Sequence, residues 1–324
     1  MTIAATALLT GAGILVVSLR RASRLSGRVR WSPPAGSSER AALAVRSVGQ
    51  GAPVTVLLHG MFASGRYWGA AYDGLADHGA LVVPDLAGFG RSVEVNAGFG
   101  PDDHADLVAR TIREAGAGGK PVVVGAHSLG CLVAVHLARR HPDLVAGVVA
   151  FSPPLYRDEA SARRHLARAN ALVGLFVLSP AVSEVVCGWM CAHSELAARI
   201  GRWVRPDLPD FLAEDRFQHT YRSYSETLAQ VVVSAGAAAE VGRLTVPVHL
   251  VAGARDSLLD HGFLGALAER HPHLRLSVWP QAEHELPLTA PDRCVATIRQ
   301  LRELVGASAT TAFDRGDGPG TGQG

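Results

Sequence analysis

The sequence has little lysine, and its positive charge is unevenly placed. Lys120 is the one lysine among 31 basic residues, and five arginines cluster in residues 20–30, ahead of the first acidic residue. Residues 31–324 contain the other 26 basic residues and 29 acidic ones, so this part of the chain has a net charge of −3. This balance argues against a globally basic protein, so we expect no nucleic-acid partner.

Cysteine is also scarce, with four residues in a chain of 324 and no CxxC pair. Four cysteines in so long a chain do not make a disulfide scaffold. Cys187 and Cys191 lie four residues apart on a predicted helix, where a metal site is possible, but we expect buried thiols instead. The chain also lacks a dinucleotide-binding fingerprint and a P-loop. We therefore predict neither a metal nor an organic cofactor.

Residues 1–19 carry no charge, and the arginine-rich stretch follows at once. This apolar run is barely long enough for a bilayer, which usually takes about 20 residues. The positive charge follows the run and no small-x-small site is evident, so a cleaved export signal fits less well. We expect residues 1–30 to anchor the chain to the cytoplasmic face of a membrane. An export signal and an upstream extension, which would leave a soluble cytoplasmic protein, are the alternatives.

Six short apolar runs are typical of strands that are buried on both faces. They lie at 53–58, 80–85, 121–126, 147–152, 246–252 and 274–279. Helical patterns separate them near 66–78, 102–116, 129–141, 259–271 and 290–305. This alternation predicts an α/β fold, with a mostly parallel sheet covered by helices on both faces.

The alternation stops between the fourth and fifth strands, where the pattern is helical throughout. We therefore predict a helical cap over residues 154–243, inserted into a core formed by residues 41–153 and 244–306. Residues 31–40, with two prolines, form a predicted linker. Residues 307–324, rich in small and polar residues, form a predicted disordered tail. The sequence leaves the oligomeric state open.

The most informative segment is the third apolar run, which leads through Ala126-His127-Ser128-Leu129-Gly130 straight into a helix. A serine with small residues two positions before and after it suits a sharp strand-to-helix turn. Such a turn exposes the hydroxyl at the carboxyl edge of the sheet, beside a helix N-terminus. Ser128 could instead be an ordinary helix cap.

Other motifs follow the remaining strands in the same order as in a known family, and they cover about residues 40–305. They are His59-Gly60-Met61-Phe62, Asp85 to Ser92, Gly253 to Asp256, and Glu283 to Pro287. With the serine turn, they make the chain resemble the α/β-hydrolase family. The resemblance implies a chain order of nucleophile, acid and base, which Ser128, Asp256 and His284 meet. It also implies an oxyanion hole formed by the backbone N–H groups of Met61 and Leu129.

Each of these residues has a chemical reason for its expected role. A serine hydroxyl needs an adjacent base, and imidazole titrates near neutral pH. Asp256 would orient His284, with Asp158 and Asp260 as the alternative acids. We expect His59 to brace the oxyanion loop and the His127 side chain to point away from Ser128.

The predicted function is hydrolysis of a carboxylic ester or thioester through an acyl-enzyme. The apolar predicted cap indicates an apolar or lipid-like small-molecule substrate. We expect that substrate to contact Phe62, Phe151, Phe176, Trp189 and Leu286, although most aromatic residues of the cap would pack in its core. An acyltransferase, a carbon–carbon hydrolase, a lyase and a non-catalytic, membrane-tethered binding protein are the alternatives.

Overall fold

The computed structural model describes residues 42–169, 179–204 and 210–314. The predicted N-terminal anchor and linker lie outside these ranges, as does Phe176. Within them, none of the helices combines the length and the apolar character that crossing a membrane requires.

Seven strands form one sheet in the spatial order β1-β3-β2-β4-β5-β6-β7. The strands are β1 (Val45–Gly49), β2 (Val54–Leu58), β3 (Ala80–Pro84), β4 (Val122–His127), β5 (Val145–Phe151), β6 (Val248–Gly253) and β7 (Leu274–Trp279). Only β1 is antiparallel to its neighbour, β3. The six predicted strands and the mostly parallel sheet are confirmed. The edge strand β1 was not predicted.

Helices occupy both faces of the sheet and the segment between β5 and β6. They are α1 (Pro101–Ile112), α2 (Leu129–Arg140), α3 (Glu159–Ala169), α4 (Pro180–Ala192), α5 (Ser194–Val204), α6 (Asp210–Asp215), α7 (Tyr221–Thr227), α8 (Gly236–Val241), α9 (His261–Arg270), α10 (Leu286–Thr289) and α11 (Pro291–Asp314). Short 3₁₀ helices span Gly65–Trp68, Ala70–Ala76 and Gly90–Ser92, and π-helical turns span Arg113–Ala117 and Leu228–Val233.

Two apolar layers sandwich the sheet because successive strand residues point to opposite faces. Val56 belongs to the layer that contains α1, α2 and α9, whereas its neighbour Leu57 belongs to the layer that contains α11. The same alternation holds in β4, with Val124 on one face and Val123 on the other. Burial of both faces explains why the central strands are apolar without interruption.

Between β5 and β6, every element that the structure describes is a helix. We refer to residues 154–243 as the helical insertion. The segment between α6 and α7 contacts the loop after β3, through a bridge between Phe89 and His219 and through the Gly90 N–H, which donates to the Gln218 carbonyl at 2.9 Å. The insertion therefore contacts the edge of the sheet where the parallel strands end.

The last helix is longer than the sequence predicts. Disorder is expected from residue 307, but α11 continues to Asp314. Residues 307–314 contain three alanines and neither glycine nor proline, so no strong helix breaker interrupts the helix. Residues 315–324 lie outside the described part of the chain.

Candidate active site

The turn between β4 and α2 holds Ser128 in an unusual backbone conformation. Its φ of 51° and ψ of −118° are rare for a residue with a side chain. The turn is fixed by the Ser128 N–H, which donates to the Phe151 carbonyl at 3.0 Å. Gly130 allows α2 to approach β2, because a Cβ there would lie 2.5 Å from the Leu58 carbonyl oxygen.

The structure brings Ser128, His284 and Asp256 together. His284 Nε2 lies 3.0 Å from Ser128 Oγ, and His284 Nδ1 lies 2.8 Å from Asp256 Oδ2. Among the described residues, the Ser128 hydroxyl makes no capping bond to α2, so the simple helix-cap interpretation does not hold. The carboxylate accepts a hydrogen bond from Nδ1–H, which leaves the Nε2 lone pair facing the hydroxyl.

These three residues follow the carboxyl ends of β4, β6 and β7. Parallel strands end at one edge of the sheet, which explains how residues far apart in the sequence meet. The Asp256 side chain is 1% exposed, and its Oδ1 accepts the Leu258 N–H at 3.1 Å. The carboxylate is therefore held in place on both of its oxygens.

Burial alone would lower the pKa of His284, but its neighbours outweigh that effect. The hydrogen bond and charge of Asp256, with the charge of Glu285, leave the pKa of His284 above its ordinary value of 6.5. This environment stabilises the imidazolium form. A base that takes up a proton from a hydroxyl needs that stabilisation.

The alternative acids occupy helix termini instead. Asp158 Oδ1 accepts the Ser161 N–H at 2.7 Å near the start of α3. Asp260 Oδ1 accepts the Phe263 N–H at 3.0 Å and caps α9. Both carboxylates are therefore committed to capping, whereas Asp256 reaches the imidazole.

The loop after β2 lies directly against the serine. A Cβ on Gly60 would lie 3.2 Å from Ser128 Cβ, so the backbone of Gly60 packs closely against the serine. Met61 is the next residue in this loop. His59 is fully buried; its Nε2 accepts the Leu86 N–H at 2.8 Å and its Nδ1 lies 2.8 Å from the Gly60 carbonyl. Burial lowers the pKa of His59, so it stays neutral and braces the loop, as predicted. Leu129 is the first residue of α2, where N–H groups lack partners within the helix.

A second group of contacts, which the sequence analysis missed, supports the main chain of His284. The ring of His127 stacks on Tyr67 with centroids 4.9 Å apart, and its Nε2 lies 3.0 Å from the His284 carbonyl oxygen. Tyr67 donates its hydroxyl proton to Glu285 Oε2 at 2.6 Å, and the Ser152 hydroxyl donates to the His284 carbonyl at 2.9 Å. The motif around His284 was visible in the sequence. Tyr67, which hydrogen-bonds to Glu285 of that motif, lies 218 residues away in the chain, so the sequence did not indicate this contact.

The predicted substrate-contacting residues divide into three groups. Phe62 lies in the loop after β2, and its ring stacks on Tyr224 of the insertion with centroids 5.2 Å apart. Phe151 and Leu286 are fully buried in the layer that contains α11. Trp189 is 46% exposed and stacks on His193, on the outer surface of α4. The alternation of β5 directs Phe151 toward Trp68 and Trp279, which explains its burial.

Comparison with known proteins adds to this geometry. Residues 55–297 match a family model described as the alpha/beta hydrolase family. A pimeloyl-[acyl-carrier protein] methyl ester esterase of Chromobacterium violaceum is 33% identical over 251 residues, which cover 75% of this chain and 91% of that protein. A 2-(acetamidomethylene)succinate hydrolase of Mesorhizobium japonicum is 28% identical over 280 residues, with 83% and 93% covered. A thermophilic esterase from Thermogutta terrifontis shares the fold, with a TM-score of 0.58, 23% identity, and coverage of 81% of this chain and 93% of that one.

Proposed function

The chain belongs to the alpha/beta hydrolase family, and we propose that it hydrolyses carboxylic esters or thioesters. In this proposal Ser128 is the nucleophile, His284 is the base, and Asp256 is the acidic residue that orients His284. One observation carries this proposal: the His284 ring lies between the Ser128 hydroxyl at 3.0 Å and the Asp256 carboxylate at 2.8 Å. Within the part of the chain that the structure describes, His284 is the base that the Ser128 hydroxyl contacts.

In the proposed reaction, His284 Nε2 takes the Ser128 proton as Oγ attacks the carbonyl carbon of the ester. The tetrahedral intermediate collapses when His284 returns that proton to the leaving alcohol, which leaves an acyl group on Ser128. Water, deprotonated by the same imidazole, then attacks the acyl carbon; the bond to Oγ breaks, the imidazolium returns its proton to Ser128 Oγ, and the carboxylic acid is released. Asp256 keeps Nδ1 protonated and stabilises the imidazolium at both stages.

Backbone N–H groups of Met61 and Leu129 would stabilise the negative oxygen of the intermediate. The close contact of Gly60 with Ser128 and the position of Leu129 at the start of α2 support this assignment. The helix N-terminus also favours negative charge there. Loss of one such donor typically raises the barrier by about 3–4 kcal/mol.

Two observations support an apolar ester as substrate. The relative from C. violaceum is described as a methyl ester esterase, and the solved structure from T. terrifontis is of an esterase. In this chain, α4 and α5 present a row of exposed apolar side chains, with Val185 72% and Trp203 78% exposed. Contiguous exposed apolar surface commonly marks a binding site for an apolar partner.

Labelling with a fluorophosphonate probe tests the nucleophile. The unaltered chain should be labelled and should hydrolyse p-nitrophenyl esters, and Ser128→Ala should abolish both while circular dichroism stays unchanged. Ser225→Ala is the matched control, because Ser225 lies on α7 and donates its hydroxyl to the Arg222 carbonyl. Labelling or turnover by Ser128→Ala would overturn the assignment.

A series of esters with longer acyl chains tests the substrate class. We expect kcat/KM to rise with acyl length, because each buried CH₂ contributes about 0.8 kcal/mol. Product analysis with a competing alcohol should yield mainly free acid. A dominant transfer product would instead indicate an acyltransferase.

A further inference from the structure

Two cysteines and a histidine of the helical insertion lie together, apart from the proposed proton relay. Cys187 and Cys191 are one turn apart on α4, and His219 lies between α6 and α7. Cys187 Sγ lies 3.6 Å from Cys191 Sγ and 3.3 Å from His219 Nε2, and all three donor atoms lie within 4.8 Å of one another. Cys187 and His219 are buried and Cys191 is partly buried. Two sulfurs and one imidazole nitrogen therefore converge on a single point.

The spacing of these donors is close to that of a tetrahedral zinc site. Zinc binds thiolate sulfur at about 2.3 Å and imidazole nitrogen at about 2.0–2.1 Å. Tetrahedral angles then place two sulfurs roughly 3.8 Å apart, and a sulfur and a nitrogen roughly 3.5 Å apart. The separations of 3.6 Å and 3.3 Å differ from these values by about 0.2 Å, and Cys191 Sγ lies within 4.8 Å of His219 Nε2.

We propose that Cys187, Cys191 and His219 form a binding site for one Zn²⁺ ion, with a water molecule as fourth ligand. Thiolate and imidazole ligands favour zinc over magnesium and calcium, which prefer oxygen ligands. The sequence analysis expected buried thiols at this position, and His219 changes that interpretation. It lies 28 residues after Cys191, outside any common spacing of metal ligands.

The ion would join two parts of the insertion that are held differently. The segment around His219 is bound to the core. Gly90 N–H donates to the Gln218 carbonyl at 2.9 Å, and the Ser223 hydroxyl donates to the Gly88 carbonyl at 2.9 Å. In contrast, α4 exposes Val185 and Trp189 to solvent. Zinc would therefore fasten α4 to a segment that the core already holds.

This connection also reaches the candidate active site. The ring of His219 lies 5.0 Å from the ring of Phe62, the residue after Met61. Zinc binding would thus fix α4 relative to the loop that carries a proposed oxyanion donor. The site is a structural clamp rather than a part of the hydrolytic chemistry.

Titration of the full chain, with its thiols reduced and metals removed, tests the site. Calorimetry with ZnCl₂ should give one bound ion per chain, and Co²⁺ in its place should give thiolate charge-transfer absorption. Cys187→Ser, Cys191→Ser and His219→Gln each remove a direct ligand. Each should weaken Zn²⁺ binding by more than the roughly 10–100-fold that loss of an outer-shell partner costs.

Two matched controls separate the site from nonspecific binding. Cys294→Ser removes a thiol from the layer that contains α11, and His193→Gln removes a histidine at the end of α4. Both should bind Zn²⁺ as the unaltered chain does. Hydrogen exchange should slow in α4 when Zn²⁺ binds to the unaltered chain, but not in Cys191→Ser.

Three results would overturn the proposal. They are equal Zn²⁺ affinity in the unaltered chain and the three ligand variants, a Co²⁺ spectrum without thiolate absorption, and a Cys187–Cys191 pair that oxidises to a disulfide but binds no metal when reduced. None of these measurements depends on ester turnover. The zinc proposal can therefore be confirmed or rejected whether or not the proposed hydrolase activity is confirmed.

Discussion

The imidazole of His127 donates a hydrogen bond from Nε2 to the main-chain oxygen of His284, with 3.0 Å between the two atoms. Burial, with the charge of His284, lowers the pKa of His127 to about 4, so the ring is neutral at neutral pH and carries one proton. The facing carbonyl requires that proton on Nε2. The residue before the proposed nucleophile thus positions the proposed base.

We expect His127→Phe to lower kcat by about 10- to 100-fold while KM changes little, because the ring still fills its place beside Tyr67 but cannot donate to His284. Misplacement of a catalytic group by about 1 Å can cost about 100-fold in rate. His127→Gln restores a donor and should recover part of the rate. Steady-state kinetics on one p-nitrophenyl ester measures the effect. Equal rates for Phe and Gln would show that the hydrogen bond does not matter.

Glu285 should control the pH dependence of turnover. Burial alone would raise the pKa of Glu285, but the charges of His127 and His284 and the hydrogen bond from Tyr67 lower it to about 2, so it is ionised at neutral pH. Its charge helps to raise the pKa of His284. His284 acts as a base only when neutral, so kcat/KM should fall as the pH drops through that raised pKa. Glu285→Gln should therefore move this acid limb to lower pH.

The matched control for Glu285→Gln is Glu283→Gln, because Glu283 is exposed and solvent screens its charge. Its kcat/KM profile should coincide with that of the unaltered chain. A Glu285→Gln profile without a shift would rule out the electrostatic role.

Asp256→Asn should lower kcat by about 10⁴-fold, because an amide can no longer hold the imidazole in the tautomer that accepts the Ser128 proton. Asp158→Asn is the control and should change turnover and stability little, because asparagine caps a helix about as well as aspartate does. Ester turnover and urea unfolding separate the two effects. If Asp158→Asn lost turnover and Asp256→Asn kept it, the acid would be Asp158.

Gly130→Ala should destabilise the fold by about 1–3 kcal/mol, since its Cβ would lie within 2.7 Å of two backbone oxygens, those of Leu58 and His59. Gly265→Ala, in the interior of α9, meets no atom within 4 Å and should instead stabilise the fold by about 0.5–1 kcal/mol. Urea unfolding of the two variants gives the comparison. Equal stability of the two variants would contradict the close packing of α2 on β2.

Much of the fold could be predicted from local patterns. The buried strands are apolar without interruption, and the turn at Ser128 requires small neighbours, so both features are visible in a few residues. The edge strand β1 was missed because its sequence, VRSVG, contains only two apolar side chains and forms no apolar run. The burial of Phe151 and Leu286 was not predicted, because closeness to the site in sequence does not reveal which face of the sheet a side chain joins.

The contacts that sequence analysis missed are those between distant segments. Tyr67 meets Glu285, and Cys187 meets His219, only after the sheet has assembled and the insertion has docked. No local pattern marks such pairs. The role of His127 was also missed, because alternation along β4 predicts its direction but not the approach of the His284 main chain.

The position of β7 has a consequence for biosynthesis. The proposed nucleophile follows β4, in the centre of the sheet. The proposed base follows the edge strand β7, which is the last of the seven strands in the sequence. A nascent chain that ends before His284 would carry Ser128 with no imidazole beside it, so we expect it not to hydrolyse esters until His284 has been synthesised. Onset of turnover during translation would therefore report completion of the sheet.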